Sequence, residues 1–315
     1  MPSETSPQQA ARLMRRATLA STLVAVTLIV SKALVWWQSG SVALLASLVD
    51  SLMDGGASLV TLIAVRYSLQ PADAEHRFGH GKAEALAGLG QSAFISVSSV
   101  LLMIEGGRKL IHPEPVEATG MAIGVMVLSI VLTLALVLYQ RHVIRRTGST
   151  AVAGDALHYV SDLLMNVAII GAIVAAGFGF LRADALVALA VGTFMLVAAL
   201  QIGHAAVQLL LDRELDDTQR NRIAAVIGVQ PGVMGFHDLR TRLSGRTVFI
   251  QVHVELDKEL SLEQAHDIIV NVAQALRQRM PGAEIIIHPD PVARPEKILL
   301  PGHGPAMLPD GGSGR

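Results

Sequence analysis

Two acidic residues interrupt an apolar stretch of the chain in the segment Leu45-Ala-Ser-Leu-Val-Asp-Ser-Leu-Met-Asp54. A second apolar stretch contains Asp155-Ala-Leu-His-Tyr-Val-Ser-Asp162, in which a histidine precedes an aspartate by the same four residues. Residues four apart share one face of a helix, so each segment predicts a helix with two metal-type ligands on one face. An aspartate inside a bilayer costs about 2.5–3.5 kcal/mol, which is normally tolerated only where the group is paired or functional. Together the segments offer three carboxylates and one imidazole, which match a tetrahedral site for a divalent metal.

The composition is typical of a membrane protein. Of the 315 residues, 51% are hydrophobic and 16% are charged, whereas soluble domains carry about 25% charged residues. The formal net charge of −1 does not favour nucleic acid or another anionic partner. The chain has no cysteine, which excludes disulfides and thiolate ligands and disfavours soft metals such as Cu(I). Oxygen and nitrogen ligands remain, and they suit Zn(II), Fe(II), Mn(II), Co(II) or Cd(II).

Six apolar segments are long enough to cross a bilayer, which takes roughly 20 residues in helical form. They cover approximately residues 14–36, 41–66, 84–110, 119–142, 150–177 and 184–211. Lysine and arginine concentrate before the first segment and in the second and fourth connections, which predicts that both termini are cytosolic. The expected fold class is an all-α six-helix transmembrane bundle followed by a soluble domain. Residues 1–13 are expected to form a polar cytosolic tail.

Residues 212–291 predict a small cytosolic α/β domain of order α-β-β-α-β, like that of a metallochaperone. Its predicted elements are helix Asp217–Val229, strands Val233–Leu243 and Val248–Leu256, a helix capped by Ser261, and strand Glu284–His288. The two long strands are joined by a hairpin turn at Ser244-Gly245-Arg246. The Pro- and Gly-rich residues 292–315 are expected to be disordered.

The depth of the ligand-type residues places them together. At 1.5 Å per residue, Asp50 and Asp54 lie roughly 12–20 Å from the outer end of their helix. His158 and Asp162 lie a similar distance from the inner end of theirs, so both pairs fall near the middle of a core about 30 Å thick. Three carboxylates cannot stand empty at such depth, so the site should hold protons when it holds no metal. Competition between metal and protons, at a site open to each side in turn, predicts a metal/proton antiporter.

Three other functions share parts of this pattern. A passive metal channel would use the same ligands but would move metal downhill without moving protons. A membrane-embedded, metal-dependent phosphotransferase would need carboxylates near the headgroups and basic residues around the phosphate, whereas the aspartates lie at mid-depth without either. A metal sensor that signals through the soluble domain would need a catalytic or DNA-binding motif, and the sequence contains none that we recognise.

The sequence resembles the cation diffusion facilitators, and within them the bacterial branch that exports zinc and ferrous iron. The resemblance rests on the paired motifs described above, on the linker Tyr67-Ser-Leu-Gln-Pro-Ala-Asp-Ala-Glu-His-Arg-Phe-Gly-His-Gly-Lys-Ala-Glu84, and on His237-Asp-Leu-Arg-Thr-Arg242. It covers roughly residues 15–291. It implies a homodimer in the lipid of the bacterial inner membrane that is not an enzyme. This dimer would export cytosolic Zn²⁺, with Fe²⁺, Cd²⁺, Co²⁺ and Mn²⁺ as further candidates, in exchange for protons by alternating access.

The same resemblance implies two further metal sites. One lies on the linker and consists of Asp73, His76 and His80, three ligand-type residues within eight positions. The other lies in the soluble domain, where Zn²⁺ would bridge or stiffen the dimer. Its implied ligands are His237, His253, His266, His288 and Asp290. Pro289 stands where some relatives carry a polar residue that can supply an extra ligand, so full occupancy of a two-metal cluster is left open.

Three other residues carry separate expectations. Lys82 and Asp212 resemble a charge pair that holds helices together near the dimer contact in relatives. Leu157, which precedes His158, is either part of an apolar gate or ordinary packing. Lys32 lies within the first apolar segment and is expected to face protein or to snorkel to the interface.

Overall fold

A computed structural model of the chain describes residues 7–39, 42–111, 120–177 and 183–292. It divides into two compact units, Met1–Leu210 and Leu211–Arg315. The described part of the first unit is helical, and that of the second combines two helices with one sheet. This confirms the predicted fold class. The residues of the expected C-terminal tail, from 293 onward, lie outside the described part.

The described part of the first unit contains six long helices. They are α1 (Pro7–Ser39), α2 (Val42–Ser68), α3 (Lys82–Ile111), α4 (Gly120–Thr147), α5 (Thr150–Gly177) and α6 (Ala183–Leu210). By length and composition, five of the described helices could cross a membrane, over Gln8–Gln38, Ser47–Ser68, Lys82–Ile111, Gly124–Thr147 and Ala185–Leu210. Helix α5 is not among these five described spans, so its place as the sixth span stays a prediction.

Helix α1 begins at Pro7, well before the apolar segment predicted from residue 14. Its first turns are mostly polar, but Ala10, Met14 and Ala17 follow helical spacing and are at most 1% exposed. A narrow apolar face of this kind is enough to hold a helix against its neighbours. Part of the expected N-terminal tail is therefore an extension of the first helix.

One buried apolar cluster ties several helix ends together. It consists of Met14, Ala17, Val65, Ala87, Val143, Ala151 and Val152. These residues come from the beginnings of α1, α3 and α5 and from the ends of α2 and α4, so these helix ends meet at one end of the bundle. Helix α6 also ends there, as shown by the hydrogen bond of 3.3 Å that Lys82 Nζ, at the start of α3, donates to the carbonyl of Leu210. We call this the linker end, since residues 69–81 connect α2 to α3 there, and we call the opposite end the far end.

Glycines allow α3 and α6 to pack closely. A Cβ atom at Gly192 would lie 2.6 Å from Met103 Cγ and 3.2 Å from the carbonyl oxygen of Ser99. A Cβ atom at Gly106 would lie 3.2 Å from the carbonyl oxygen of Ala185. Close approach of this kind favours helix association in lipid, where dispersion contacts replace the hydrophobic driving force.

The second unit follows the predicted order. Its elements are α7 (Asp217–Gly228), β1 (Gly235–Ser244), β2 (Thr247–Leu256), α8 (Leu262–Arg279) and β3 (Glu284–Pro291). Strand β2 lies in the middle of the sheet, antiparallel to β1 and parallel to β3. Ile250, Val252 and Val254 are at most 2% exposed and form the core with residues of α7 and α8. The predicted alternation of buried and polar residues in this strand is confirmed.

The register of the sheet aligns three histidines. His237 pairs with His253 across β1 and β2, and His253 pairs with His288 across β2 and β3. A bulge follows in β1, where Asp238 adopts a φ of 49° and the pairing shifts before Arg240. Bulges of this kind re-aim side chains and are common beside functional sites.

Candidate metal centres

The helix bundle brings together Asp54 of α2 with His158 and Asp162 of α5, which we call the bundle cluster. His158 Nε2 lies 2.7 Å from Asp54 Oδ1 and 3.9 Å from Asp162 Oδ2. One ligand atom from each of the three residues lies within 4.8 Å of the other two. Asp50 lies on α2 one turn before Asp54, but its side chain is outside the described part of the structure. Three of the four predicted ligands are therefore adjacent, and the fourth stays a prediction.

The distances in the bundle cluster suit either a proton or a small cation. Two ligand atoms that each lie about 2.0–2.1 Å from a tetrahedral Zn²⁺ are about 3.3 Å apart. The separation of 2.7 Å between His158 and Asp54 is shorter and is typical of a charge-assisted hydrogen bond. His158 and Asp54 would have to move apart slightly to ligate a metal, and Asp162 would have to approach. Small side-chain shifts therefore separate the two forms of the site.

A cavity of about 350 Å³ adjoins the bundle cluster. Its other polar lining residues are Lys32, Ser47, Ser51, Ser98, Ser99, Ser129, Tyr159, Ser161 and Asn166. Almost all of them lie toward the far end, in the second halves of α1, α3 and α5 or the first halves of α2 and α4. Lys32 Nζ donates hydrogen bonds to Ser51 Oγ at 2.5 Å and to the carbonyl of Ser47 at 3.2 Å, so this lysine faces protein. The bundle cluster thus borders a polar space that extends toward the far end.

On the linker-end side, the bundle cluster is bounded by a buried polar network centred on Asp155, which is 1% exposed. Asp155 Oδ1 accepts a hydrogen bond from Ser58 Oγ at 2.9 Å, and Oδ2 accepts one from Gln140 Nε2 at 2.7 Å. The hydroxyl of Tyr159 lies 3.0 Å from Ser58 Oγ and donates to the carbonyl of Ser21 at 3.0 Å. We call Asp155, Ser58, Gln140 and Tyr159 the Asp155 network, and it joins α1, α2, α4 and α5.

Leu157 lies in the packed core. It is 8% exposed and belongs to an apolar cluster between α3, α5 and α6. Its neighbours in that cluster are Ile95, Val191, Met195 and Ala199. Of the two alternatives for this residue, the contacts favour packing.

The predicted linker residues also form a cluster, which we call the linker cluster. Asp73 lies 3.3 Å from His80 Nε2 through one oxygen and 3.6 Å from His76 Nδ1 through the other. Asp73 Oδ1 also accepts the backbone N–H groups of His76 and Glu75, which shapes the loop. These N–H groups, that of His76 first, lower the pKa of Asp73, and the two histidines act in the same direction. The side chain of His80 is 2% exposed and packs edge-on against Tyr67, so one ligand is held rigidly.

The aligned histidines of the sheet surround Asp290, whose side chain is 5% exposed. Asp290 Oδ2 lies 2.9 Å from His253 Nδ1 and 3.3 Å from His237 Nε2, and its Oδ1 lies 3.2 Å from His288 Nε2. We call these four residues the sheet cluster. A carboxylate that faces three imidazoles matches the ligand set of zinc sites.

Two residues change the predicted composition of the sheet cluster. His266 lies exposed on α8, and the metal-type groups found among the described residues do not include it. Glu255, which was not predicted as a ligand, lies 3.1 Å from His237 Nδ1 and orients that ring. The alternation of β2 places Glu255 on the same polar face as His253, so the sequence did contain the signal for it.

The predicted charge pair falls on two different units. Lys82 belongs to the helical unit, where it donates to the carbonyl of Leu210. Asp212 belongs to the second unit, where its carboxylate accepts from Arg242 Nη1 at 3.3 Å. The pairing of Lys82 with Asp212 stays a prediction.

Profiles of known protein families match both the helical unit and the second unit of the chain. The profile described as the cation efflux transmembrane domain matches residues 18–211. The profile described as the cytoplasmic domain of cation efflux proteins matches residues 215–292. Among solved structures, the metal-bound C-terminal domain of the CzcD transporter from Thermotoga maritima is 26% identical, covering 25% of this chain and 98% of that one, with a TM-score of 0.24.

Curated relatives match over most of their length. The cation-efflux pump FieF of Serratia proteamaculans is 54% identical over 283 residues, which is 90% of this chain and 94% of the relative. The protein of the same name from Klebsiella pneumoniae subsp. pneumoniae is 51% identical over 284 residues, which is 90% of this chain and 95% of the relative. Because both profiles and these relatives match most of its length, the chain belongs to the cation diffusion facilitator family of cation efflux proteins.

Proposed function

We propose that the chain is a secondary active transporter that exports divalent metal cations, with Zn²⁺ foremost, in exchange for protons. The observation that carries the proposal is the bundle cluster, in which His158 faces Asp54 and Asp162 beside a polar cavity. The relatives named above are called cation-efflux pumps, which supports export as the direction. Nitrogen and oxygen ligands suit Zn²⁺ and also Fe²⁺, Cd²⁺, Co²⁺ and Mn²⁺, with intrinsic affinity favouring zinc over iron.

Exchange follows from the charge of the bundle cluster. The side chains of His158, Asp54 and Asp162 are 10%, 13% and 26% exposed, so little water reaches them. Carboxylates in such surroundings need a positive partner, which is a proton or a metal ion. Because ligands must lose their protons to bind metal, metal and protons occupy the site in turn. His158 is suited to this exchange, since imidazole is the side chain whose protonation ordinarily changes near neutral pH.

The cavity suggests which stage of the cycle the structure represents. It extends from the bundle cluster toward the far end, whereas the linker-end side is occupied by the Asp155 network and an apolar cluster. If the linker end is cytosolic, as the distribution of lysine and arginine predicts, a cation would leave toward the outside from this form. We place the protein in the bacterial inner membrane as a homodimer with cytosolic termini. The match of residues 215–292 to the cytoplasmic domain of cation efflux proteins supports the cytosolic location of the second unit.

The test is a flux measurement in vesicles of reconstituted protein. A trapped zinc indicator and a trapped pH indicator are read together after a zinc gradient is imposed without a pH gradient. Exchange predicts that zinc uptake and proton release rise together and that both fall to the protein-free rate in Asp54→Ala. The matched control is Ser129→Ala, which changes a cavity-lining residue outside the cluster and should retain both fluxes. Zinc movement without proton movement would instead indicate a passive channel.

A further inference from the structure

We propose that Asp155 is a positioning residue that closes the linker-end approach to the bundle cluster. It does so by holding α2 and α4 to α5, and these hydrogen bonds must break before a cation can reach the cluster from that end. The inference rests on the proposed function, because only a transporter that opens to two sides in turn needs such a closure. The four residues of the network come from α2, α4 and α5, and Tyr159 adds a contact to α1.

The position of Asp155 supports this role. Asp155 precedes His158 by three residues on α5, and Ser58 follows Asp54 by four residues on α2. Both therefore continue the faces that carry the metal-type ligands, one helical turn nearer the linker end. The hydrogen bond of 2.9 Å between Ser58 and Asp155 thus crosses the same gap between α2 and α5 that the bundle cluster spans.

The burial of Asp155 shows that the contact is closed in this structure. The side chain is 1% exposed, and both of its oxygens accept hydrogen bonds from other helices. A buried carboxylate that loses such donors must find water or another partner. The carboxyl of Asp155 is therefore satisfied in two states only. In one it accepts hydrogen bonds from the neighbouring helices, and in the other water has replaced those donors. A group with this property suits a contact that changes between two states.

Other residues near the closure do not carry the same contact. Gln91 Nε2 joins α3 to α2 through Thr61 Oγ1 at 2.9 Å, but it does not touch Asp155. Thr133 on α4 is fully buried, and its hydroxyl has no hydrogen-bond partner among the described residues. Removing the hydroxyl of Thr133 changes a buried polar group on the same helix as Gln140 without touching the network. It is therefore the matched control.

The test measures how readily a cysteine beneath the network is reached. The natural chain has no cysteine, so Val152→Cys creates a single thiol one turn nearer the linker end. Val152 is fully buried in this structure. The rate of reaction with a membrane-impermeant maleimide, added on the linker-end side of vesicles, reports opening of that side. The measurement is made without zinc and without a pH gradient.

Two variants weaken the network in this background. Asp155→Leu removes both acceptors, and the pair Ser58→Ala with Gln140→Leu removes the donors on α2 and α4 without changing Asp155. Loss of one buried hydrogen bond that leaves its partner unsatisfied shifts a two-state equilibrium about tenfold. We therefore expect both variants to increase the labelling rate at least about tenfold, whereas Thr133→Val should change it less than about twofold.

Asp155→Asn separates hydrogen bonding from charge. The amide oxygen can still accept from Ser58, and the amide nitrogen can donate to Gln140 Oε1, which has no partner among the described residues. This variant should therefore keep the slow labelling rate. The proposal is overturned if the paired donor variant labels at the rate of the unmodified network, if Thr133→Val opens the site equally, or if Asn opens it as much as Leu. Because labelling needs neither zinc nor a proton gradient, its outcome is independent of the exchange test above.

Discussion

His158 is the nitrogen-bearing member of the bundle cluster, and its replacement tests how the proposed site selects metals. His158→Asp would give the site only oxygen ligands, which suit harder ions and discriminate less between metals than imidazole does. We expect the ratio of Cd²⁺ to Zn²⁺ transport to change by at least about threefold in vesicles. The control Ser98→Ala alters the cavity lining without altering a ligand. An unchanged ratio in His158→Asp would remove this residue as the selector.

Asp73 has a loop role seen in its hydrogen bonds and a predicted ligand role, and the two can be separated. Its carboxylate accepts the N–H groups of Glu75 and His76. Asp73→Asn keeps an acceptor oxygen for these groups but loses the charge, so zinc binding should weaken at least about tenfold while the loop persists. Asp73→Ala should lose both. Hydrogen exchange of residues 69–81, measured at increasing concentrations of free zinc, distinguishes the two variants. Protection by zinc as strong in Asp73→Asn as in the unmodified chain would contradict the ligand role.

The lowered pKa of Asp73 fixes the sign of a pH effect on this loop. A carboxylate whose pKa is lower in the folded state contributes stability that is present above its ordinary value of about 4 and is lost as pH falls below it. Between pH 5 and 7, roughly, Asp73 stays ionised, so its hydrogen bonds to the loop N–H groups persist over this range. Exchange protection of the zinc-free loop should therefore be constant over this range, and a loss above pH 5 would contradict this assignment.

Sequence reasoning succeeded for residues whose partners share a simple spacing. The separation of four residues predicted that His158 and Asp162 share one face of α5, and their depth predicted that they meet Asp54; the structure brings these three together, whereas the place of Asp50 stays a prediction. It did not predict the partners of Asp155. Ser58 and Gln140 come from other helices, and serine and glutamine are common enough in packed membrane helices to carry no signal of their own.

At the scale of the element, the order of helices and strands in the soluble domain was predicted well because its caps and turns have strong local signals. Ser261 caps α8 and forms a capping box with Gln264, as its sequence indicates. The start of α1 was predicted less well. Its first turns are buried on a face only one residue wide, at Ala10, Met14 and Ala17, and hydropathy averaged over a window does not detect so narrow a stripe.

The cap of α8 gives a prediction for this helix. Ser261→Ala removes the acceptor for the N–H of Gln264 and should cost about 1 kcal/mol of local stability. Amide exchange in the first turn of α8, followed by mass spectrometry in the full chain, should then be about fivefold faster. Ser261→Asn is the control because asparagine caps helices equally well. An exchange rate in Ser261→Ala equal to that of the unmodified chain would show that tertiary contacts, rather than the cap, hold this end of α8.

Alanine substitution of two glycines, one in α6 and one in α3, should change the unfolding temperature in opposite directions. Gly192→Ala places a Cβ atom against Met103 Cγ and the carbonyl of Ser99, so the helices must separate. Gly107→Ala, in contrast, meets nothing within 4 Å and gains about 0.8–1.0 kcal/mol of helix propensity. We expect the first variant to lower and the second to raise the unfolding temperature in detergent, measured by loss of the monodisperse peak. Destabilisation by both would show that the open space at Gly107 is needed for another contact.

At the scale of the whole molecule, three separate clusters can each hold a metal ion. The bundle cluster and the linker cluster share no residue, and the helical stretch from Asp54 to Ser68 alone spans about 21 Å. The sheet cluster belongs to the other compact unit. Sites at such separation, without shared ligands, should bind independently. Cargo binding and the binding of metals with a structural or regulatory role can therefore be removed one at a time.

Independence of the clusters predicts how many zinc ions each variant binds. Equilibrium dialysis of the full chain should show that Asp54→Ala, His80→Ala and His253→Ala each lose one zinc site, because each removes a ligand from a different cluster. The triple variant should lose three. His266→Ala is the matched control, since this histidine is exposed on α8 apart from the sheet cluster, and it should bind as many ions as the unmodified chain. Loss of zinc in His266→Ala would mean that α8 supplies a ligand, for example across the proposed dimer, and loss of two ions in Asp54→Ala would show that the clusters are coupled.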